Sequence, residues 1–406
     1  LPGARGMKGN RATTDDPVGG AMLFAIEMLV RQVPWRVEPA GQTALAAQHA
    51  ALVTGMLFQD MSQSWSMLLS DILSFLPYGF SFHEAVLKRR SGLTPPPEYK
   101  KNDPAWAWWA PSQFDDGLIG WRKLPIRAQD TMLKWEFDAA GGAQAMLQQD
   151  PVRGRIVRIP MEKALLFRGT SHKANPEGRS AIRSAFSPWY MKRHLERIEG
   201  IGIERNANGL PVIYAPIELF GPTLDPNQHA QMNALKNIAV NIRQDEQMGI
   251  VFPLVYDANG NKRYAIELLS TGGTAPYDTD KVIRRYDARI AQVVLGDMIM
   301  LGHTVVGTQA LAVEKDELFA LGITGFMEAI AEVFNRYAIP RVWELNALPR
   351  ETMPSLTHGT VRKVDLEKFS MAVLRLSQAG IDLSQDVDHI RMEAGFPEQV
   401  AEALAL

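Results

Sequence analysis

The stretch at residues 180–216, SAIRSAFSPWYMKRHLERIEGIGIERNANGLPVIYAP, joins a long helical pattern to a run of glycines and asparagines. The pattern predicts a helix over residues 188–206, roughly 27 Å long at the rise of an α-helix. Pro188 suits the first helical turn, because the N–H that proline lacks has no intrahelical partner there. After the asparagines, LPVIYAP predicts a short strand. The long helix therefore leads directly into a strand-containing segment.

A second long helix is predicted at DTDKVIRRYDARIAQVVLGDMIM, residues 278–300, with Asp278 or Asp280 as its N-cap. Between the two helices lies a further helical pattern, capped by Asp225 with Pro226 at its first position. Two β-prone runs, residues 249–256 and 263–270, flank an Asn-Gly turn and predict a hairpin. Two long helices thus bracket a compact α/β insert.

The segments outside this insert predict a mixed helical and β body. The first 20 residues show no apolar period and predict a terminal arm. Apolar residues then recur at helical spacing over residues 21–33 and 45–76, and β-prone runs between turn signals fill residues 77–167. We expect an antiparallel layer docked on the first helices. Another helix is predicted at residues 315–337, and short helices separated at Gly380 follow residue 364.

Composition limits the classes of function that the chain can have. Hydrophobic residues make up 46% and charged residues 22% of 406 residues, which is typical of a globular protein with two or three structural units. With 43 basic and 45 acidic residues, the chain lacks the basic excess of a tight nucleic-acid binder, so any DNA contact must be local or loose. It has 0 cysteines, which excludes disulfides and thiolate chemistry and fits a reducing cytoplasm. No apolar run is long enough to cross a membrane, so we expect a soluble protein without a membrane partner.

Catalytic motifs are missing from the sequence. The patterns GxxxxGK[ST], HExxH and GxSxG do not occur, which argues against nucleotide hydrolysis and the common hydrolase mechanisms. The segment GIGIE at residues 200–204 superficially resembles a phosphate loop, but it follows a helix instead of preceding one. These absences weaken the hydrolase interpretations of the sequence, and no motif in it indicates a bound cofactor.

The remaining candidates for chemistry are weak. Asp386, Asp388 and His389 could hold a cation, although a solvated helix start is the better interpretation of such a generic pattern. His303 lies between a glycine and a threonine in a predicted loop, where a contact role is more plausible than that of a base. The tryptophans of WAWWAP, residues 106–111, could form a ligand box, but such clusters more often belong to a core or a subunit contact.

Basic residues cluster on both long helices and could face phosphates. Acidic residues are interleaved with them, so solvated faces or ion pairs between the helices are the favoured interpretation. The basic candidates are Lys192, Arg193, Arg197, Lys281, Arg284, Arg285 and Arg289, and the interleaved acids are Glu196, Glu199, Asp280 and Asp287.

The order of these elements resembles the portal proteins of tailed phages, and the sequence is most similar to the Mu-like branch of that family. Four segments carry the resemblance and together span most of the chain. They are LPYGFSFHEAVLKR at residues 76–89, LLFRGTSHKANPEGRSAIRSAF at 165–186, YMKRHLERIEGIGIERNANGLPVIY at 190–214, and GTQALAVEKDELFALGITGFMEAIAEVFNRYAIPRVWELN at 307–346.

The resemblance implies an α+β portal fold, in which a helical and β wing carries two long stem helices that bracket a small α/β clip. A tunnel loop and a short helical C-terminal crown complete it. The implied boundaries are 1–20 for the arm, 21–180 and 313–350 for the wing, 181–208 and 274–301 for the stem helices, 209–273 for the clip, 302–312 for the tunnel loop and 351–406 for the crown.

The resemblance also implies a function without catalysis. Copies of the chain would form a ring, typically a dodecamer, at one vertex of the capsid, present in the virion and assembled in the host cytoplasm. Its implied partners are the major capsid protein, the terminase large subunit, head completion or adaptor proteins, and double-stranded DNA that passes through the channel without sequence specificity. Besides the basic residues named above, the implied contact residues are His303, Thr304, Thr308 and Gln309 in the tunnel loop and Lys262 and Arg263 in the clip.

Two alternatives from other classes stay open. One is a metal-dependent nuclease that uses the acidic cluster around His389. The other is a sequence-specific DNA-binding protein whose C-terminal helices, separated at Gly380, form a helix-turn-helix.

Overall fold

The computed structural model describes residues 14–95, 109–150, 153–169, 175–208, 210–221, 224–241, 256, 260, 264–269, 278–293, 309–361, 370–371, 374–375 and 378. The chain divides into two compact units. Leu1–Phe186 and Ala288–Leu406 form the first, called the main unit below, and Ser187–Asp287 forms the second, called the insert unit. Both contain helices and strands, so the predicted α+β class is confirmed.

The described helices are, in chain order, α1 (Pro17–Gln32), α2 (Ala44–Thr54), α3 (Trp65–Leu73), α4 (Phe75–Tyr78), α5 (Phe186–Asn208), α6 (Pro226–Asn241), α7 (Thr279–Val293), α8 (Gln309–Val333) and α9 (Ile339–Leu345). The described strands are β1 (Trp35–Glu38), β2 (Phe80–Glu84), β3 (Val86–Arg89), β4 (Ile119–Lys123), β5 (Ile126–Arg127), β6 (Met132–Phe137), β7 (Ala143–Gln149), β8 (Ile156–Pro160), β9 (Ala164–Arg168), β10 (Leu210–Tyr214), β11 (Ala265–Leu269) and β12 (Ser355–His358).

Side chains cap the first helices where their sequences provide an acceptor. Asp16 accepts hydrogen bonds from the N–H groups of Val18 and Gly19, and Pro17 occupies the first turn of α1. Thr43 and Ser64 cap α2 and α3 in the same way. Helix α1 therefore begins four residues before its predicted start at residue 21. The prediction missed these residues because the cap lies outside the stretch of periodic apolar residues.

The β layer of the main unit is antiparallel, as predicted. Strands β5, β2 and β9 form one sheet and β6, β7 and β8 form another, and β3 pairs with β4. Phe80 and Phe82 of β2 pack with Met146 and Ile159 of the second sheet in one buried cluster. His83, on the opposite face of β2, is also buried. Burial lowers the pKa of His83 to about 4, because the charged imidazole would lose its hydration.

The core of the main unit joins helices to this layer. Buried residues recur at helical spacing on α1, α3 and α8, and these faces pack with β9 in one cluster. Each fully buried apolar side chain stabilises the fold by roughly 1.5–3 kcal/mol. The cluster includes Met22, Ile26, Val30, Leu68, Ile72, Leu165, Phe167, Ile323, Met327 and Ile330.

A pair of glycines brings two of the quoted segments together. Gly79 ends α4 with a φ of 92°, and a Cβ at this position would lie 2.4 Å from the carbonyl oxygen of Gly178. A Cβ at Gly178 would in turn lie 2.3 Å from the carbonyl oxygen of Gly79. The two backbones therefore approach each other as only glycine allows, just where β2 begins to pair with β9.

A buried ionic cluster that was not predicted from the sequence surrounds Asp60. The Asp60 carboxylate accepts hydrogen bonds from Lys88 Nζ at 2.9 Å, from the hydroxyl of Ser112 at 2.9 Å and from the N–H of Gln113 at 3.2 Å. Arg90 lies 3.7 Å from Asp60 and forms an ion pair with Asp116 at 3.0 Å. Burial lowers the pKa of Arg90, and the two carboxylates oppose this shift.

Several predicted boundaries differ from the observed elements. Helix α8 begins at Gln309, six residues before the predicted start at 315. It therefore includes residues 309–312, which were predicted to belong to a loop. Residues 355–358 form β12, which pairs with β1, although they were assigned to a C-terminal helical segment. In the insert unit, β11 pairs with β10. Most of its predicted hairpin partner, residues 249–256, lies outside the described residues, as do Trp106 and Trp108.

Candidate functional site

Helix α5 and the N-terminal part of α7 lie side by side in the insert unit. Lys192 Nζ of α5 lies 2.6 Å from the carboxylate of Asp287 on α7. The hydroxyl of Thr279 at the start of α7 donates a hydrogen bond to Glu199 of α5. Because the partners follow each other in opposite order along the two helices, α5 and α7 are antiparallel.

Lys192 holds this helix pair together. Its side chain is only 7% exposed and forms an ion pair with Asp287. Its Nζ also lies 3.9 Å from the carboxylate of Glu196. A buried ammonium group keeps its charge at low cost only when carboxylates replace its water. Of the two interpretations that the sequence left open for Lys192, the ion pair between helices is therefore the one that the structure shows.

The other basic candidates of the two helices are exposed, and several have an acidic neighbour on the same helix. Asp278 lies 3.1 Å from Lys281, and Asp280 lies 2.8 Å from Arg284. Arg193 is 67% exposed and lies 3.9 Å from Glu196. Exposed pairs of this kind contribute little to stability. They do reduce the net positive charge that the surface presents, since each cation has a carboxylate close by.

Asp278 has a second role at the start of α7. Its side chain accepts a hydrogen bond from the N–H of Lys281 and so caps the helix, which selects Asp278 from the two predicted caps. The Lys281 side chain and this N–H both lower the pKa of Asp278. At the outward surface of α7, Lys281, Arg284, Arg285 and Arg289 thus accompany the carboxylates of Asp278 and Asp280.

Arg197 and Arg285 differ from the other exposed cations. Both side chains are exposed, and neither forms an ion pair with a side chain in the described parts of the chain. An exposed guanidinium without a carboxylate beside it is the group best able to meet an anion or an acidic surface from outside.

The remaining sequence candidates are not brought to this site. His303, Thr304 and Thr308 lie outside the described residues, as do Lys262, Arg263, Asp386, Asp388 and His389. Gln309 is the first residue of α8. Its contact role in a tunnel loop stays a prediction.

The glycines of GIGIE, residues 200–204, lie inside α5, which continues to Asn208. They form no loop at a helix N-terminus, so this segment cannot cradle a phosphate in the way of a glycine-rich loop. In the described ranges, no group of three or more His, Cys, Asp or Glu side chains is placed to hold a metal ion. No helix among these residues has the length and apolar character needed to cross a membrane.

The main unit has a groove of about 1000 Å³ beside α8. Its floor includes Gly322, Gly325 and Phe326, and its titratable residues include Arg168, Glu332, Arg336, Tyr337 and Arg341. Arginines and a single glutamate do not make a nucleophile–base pair.

A family model described as the portal protein of Mu bacteriophage matches residues 11–396, nearly the whole chain. The chain belongs to this portal protein family. The resemblance that the four segments suggested is confirmed. Portal proteins of this family are structural and not enzymatic, which agrees with the missing catalytic motifs.

Two solved structures of particle necks share the fold of this chain at low sequence identity. The neck of an empty gene transfer agent (GTA) particle, computed with C6 symmetry, contains a chain that is 14% identical, with a TM-score of 0.53 and coverage of 96% of this chain and 93% of that chain. The neck of a native GTA particle, computed with C12 symmetry, gives 14% identity, a TM-score of 0.52 and coverage of 96% and 92%. An HK97-family phage portal protein from Corynebacterium diphtheriae gives 13% identity, a TM-score of 0.45 and coverage of 86% and 93%.

Proposed function

We propose that copies of this chain form a ring at one vertex of a phage capsid, through which the genome is packaged and later ejected. The ring docks the terminase large subunit during packaging and head completion or tail proteins afterwards, and it contacts the major capsid protein around its rim. Membership in the portal family supports this proposal. So does a fold shared with chains from two particle necks, one of them computed with C12 symmetry.

The observation that carries the channel role is the mixed charge on the outward surface of α7. A duplex that slides must not be held firmly, because each phosphate that a cation neutralises adds affinity through the release of counterions. Lys281 and Arg284 each lie beside a carboxylate, so they attract a passing phosphate less than isolated cations would. Such a surface can guide DNA without binding it tightly.

Within this proposal the parts of the chain take the roles that the family resemblance implies. The helices α5 and α7 are the stem, and the rest of the insert unit is the clip that meets the motor. The wing comprises residues 21–180 and 309–358, which include α8 and β12. Residues 302–308 belong to the tunnel loop, and the residues after 358 belong to the crown. The fixed Lys192–Asp287 ion pair suits a stem, because it holds the two wall helices in one register.

The first test of the proposal is the size of the assembled protein. We expect the purified chain to form closed rings, with twelve copies as the expected number, visible in negative-stain micrographs and as a single species in native mass measurement. A chain that stays monomeric at every concentration, with and without its capsid protein, would contradict the proposal.

The second test addresses the channel wall. Arg285→Glu combined with Arg289→Glu replaces two exposed cations of α7 by anions, so we expect the DNA content per particle to fall several-fold through repulsion of phosphates. The matched control is Arg158→Glu with Arg350→Glu, which makes the same charge change at exposed positions outside α7. Packaging that is equal in the two double variants would refute the assignment of α7 to the wall.

A further inference from the structure

Strand β8 forms an uncovered edge of its sheet in the described part of the chain. In the sheet β6–β7–β8, β7 pairs with both neighbours, so β6 and β8 are the edge strands. Two register shifts interrupt the pairing of β6 with β7, and such irregularities protect an edge from further pairing. β8 pairs with β7 over Ile156–Pro160 without a shift. It therefore presents a regular edge to which a further strand can be added.

The register of β8 shows which of its backbone groups face this edge. The N–H of Asp150 donates a hydrogen bond of 2.8 Å to the carbonyl oxygen of Arg155, one position before the ladder begins at Ile156. Along an antiparallel ladder, pairs that exchange hydrogen bonds alternate with pairs that do not. Val157 therefore directs its N–H and carbonyl groups toward β7, and Ile156 and Arg158 direct theirs away from it. Within the described residues, these groups of Ile156 and Arg158 form no backbone hydrogen bond.

The first residues of β8 are exposed on both faces of the sheet. Ile156 is 65% and Val157 is 40% exposed, although successive side chains of a strand point to opposite faces. Ile159, further along the strand, is buried in the cluster with Phe80 and Phe82. A regular edge with exposed apolar side chains is a site at which another chain can pair. Ile156 and Val157 thus offer side-chain contacts beside the uncovered backbone groups.

Arginines surround this exposed start of β8. The whole segment RGRIVR, positions 153–158, is exposed. Arg158 forms an ion pair with Glu136 at 2.7 Å, so its charge already has a partner. Arg153 and Arg155 form no ion pair with a described side chain. Their guanidinium groups can each donate parallel hydrogen bonds to a carboxylate from outside the chain.

These charges distinguish between the partners that such an edge can have. Two β8 strands from different copies would bring the arginines of both copies together, and like charges across a strand pair are destabilising. DNA has no backbone amide groups with which to extend the ladder. An extended protein segment with acidic side chains matches both the uncovered backbone groups and the arginines.

We propose that β8 accepts an extended, acidic segment of another protein as an additional strand of its sheet. The backbone of that segment pairs with Ile156 and Arg158, and its apolar side chains cover Ile156 and Val157. Its carboxylates bind Arg153 and Arg155. This contact goes beyond the proposed ring, because its residues lie outside the helices α5 and α7 and its formation does not depend on the number of copies.

A designed peptide tests the chemistry of this edge. The probe has about eight residues, in which valine and threonine alternate with glutamate, as suits a strand of ordinary length. Its affinity for the purified chain is measured by isothermal titration calorimetry. One matched peptide has lysine in place of glutamate. A second keeps the glutamates but carries N-methyl groups on alternate backbone nitrogens, which removes the N–H donors of one edge. We expect each matched peptide to bind on the order of tenfold more weakly.

Each contrary result overturns a different part of the proposal. Equal binding of the N-methylated peptide shows attraction by charge alone and excludes the addition of a strand. Equal binding of the lysine peptide excludes an acidic segment as the partner. Failure of the glutamate peptide to bind shows that the edge accepts no strand.

Ile156→Pro removes one outward N–H from the edge. Ile156 is the first residue of β8, and Pro160 already occupies an outward position of the same strand, so proline at 156 leaves the pairing with β7 in place. Ile156→Thr is the matched control, because it keeps the N–H and a β-branched side chain. We expect the proline variant to bind the glutamate peptide on the order of tenfold more weakly than the threonine variant, with similar unfolding midpoints. Equal affinities contradict the proposal.

Arg153→Glu with Arg155→Glu reverses the charge and leaves the backbone unchanged. This variant should bind the lysine peptide on the order of tenfold more tightly than the glutamate peptide, the reverse of the order for the unmodified chain. Arg183→Glu with Arg350→Glu makes the same charge change at exposed positions outside this sheet and should keep the original order. An order that is the same in both double variants contradicts the role of Arg153 and Arg155.

A photo-crosslinking amino acid at position 156 identifies the occupant of the edge in assembled particles. We expect a link to an acidic segment of another protein. A link to a second copy of the chain overturns the choice of partner, and so does the absence of any link from particles that contain the variant.

Discussion

Replacing Gly79 by alanine should lower the free energy of unfolding of the main unit by more than about 3 kcal/mol, or prevent its folding. Two effects add at this position. The φ of 92° is unfavourable for a residue with a Cβ, and that Cβ would lie 2.4 Å from the carbonyl oxygen of Gly178. The obstacle is a backbone atom, so no change of side-chain rotamer can relieve the clash. Urea unfolding followed by circular dichroism measures the effect.

Gly141 provides the control for the conformational part of this effect. Its φ is 85°, but a Cβ there would meet no described atom within 4 Å. Gly141→Ala should therefore cost only about 1 kcal/mol, the usual order for a left-handed residue in an open turn. Equal losses at the two glycines would show that the approach of Gly79 to Gly178 does not constrain the fold.

The elements that the sequence predicted well are those with local signals. Asp225 caps α6 as predicted, since its side chain accepts a hydrogen bond from the N–H of Gln228, and Gln228 accepts one from the N–H of Asp225 in return. The antiparallel layer and the two long helices α5 and α7 also followed from apolar period and turn residues. Such signals involve residues only a few positions apart, so one sequence is enough to find them.

The features that the sequence missed depend on residues far apart in the chain. Strand β12 pairs with β1 across more than 300 residues, and its four residues carry no sign of their partner. Lys192 is one of several lysines and arginines on an amphipathic pattern, and only the position of Asp287 distinguishes it from a solvated residue. Periodicity shows which residues share a face, but it does not show which element covers that face.

The same limit applies to the candidate site. The pairing of two long helices was expected, and the exposed cations of α7 were named in advance. Which of these cations lies beside a carboxylate was not, because the spacing of Asp278 and Asp280 from the cations of α7 allows several pairings.

Asp60→Asn should lower the free energy of unfolding of the main unit by about 3–5 kcal/mol, the usual loss when one partner of a buried ion pair is removed. The side chains of Asp60 and Lys88 are 2% and 3% exposed, so water cannot replace the missing carboxylate. The amide has nearly the same shape, and the loss therefore reports charge and not volume. Urea unfolding at one fixed protein concentration gives the value, since assembly adds stability by mass action.

Glu136→Gln is the exposed counterpart of this change. It breaks a 2.7 Å ion pair with Arg158, whose side chain is 53% exposed, and should cost less than about 1 kcal/mol. In Asp60→Asn the buried ammonium group of Lys88 loses its charged partner. A third variant, Asp60→Asn with Lys88→Met, also removes this ammonium group, so it should recover part of the lost stability. Two results would contradict this account: a loss for Asp60→Asn no larger than that for Glu136→Gln, or a further loss of similar size when Lys88→Met is added. In either case the pairing of buried charges does not stabilise the cluster. Its stability must then come from the hydrogen bonds of Asp60 with Ser112 and Gln113.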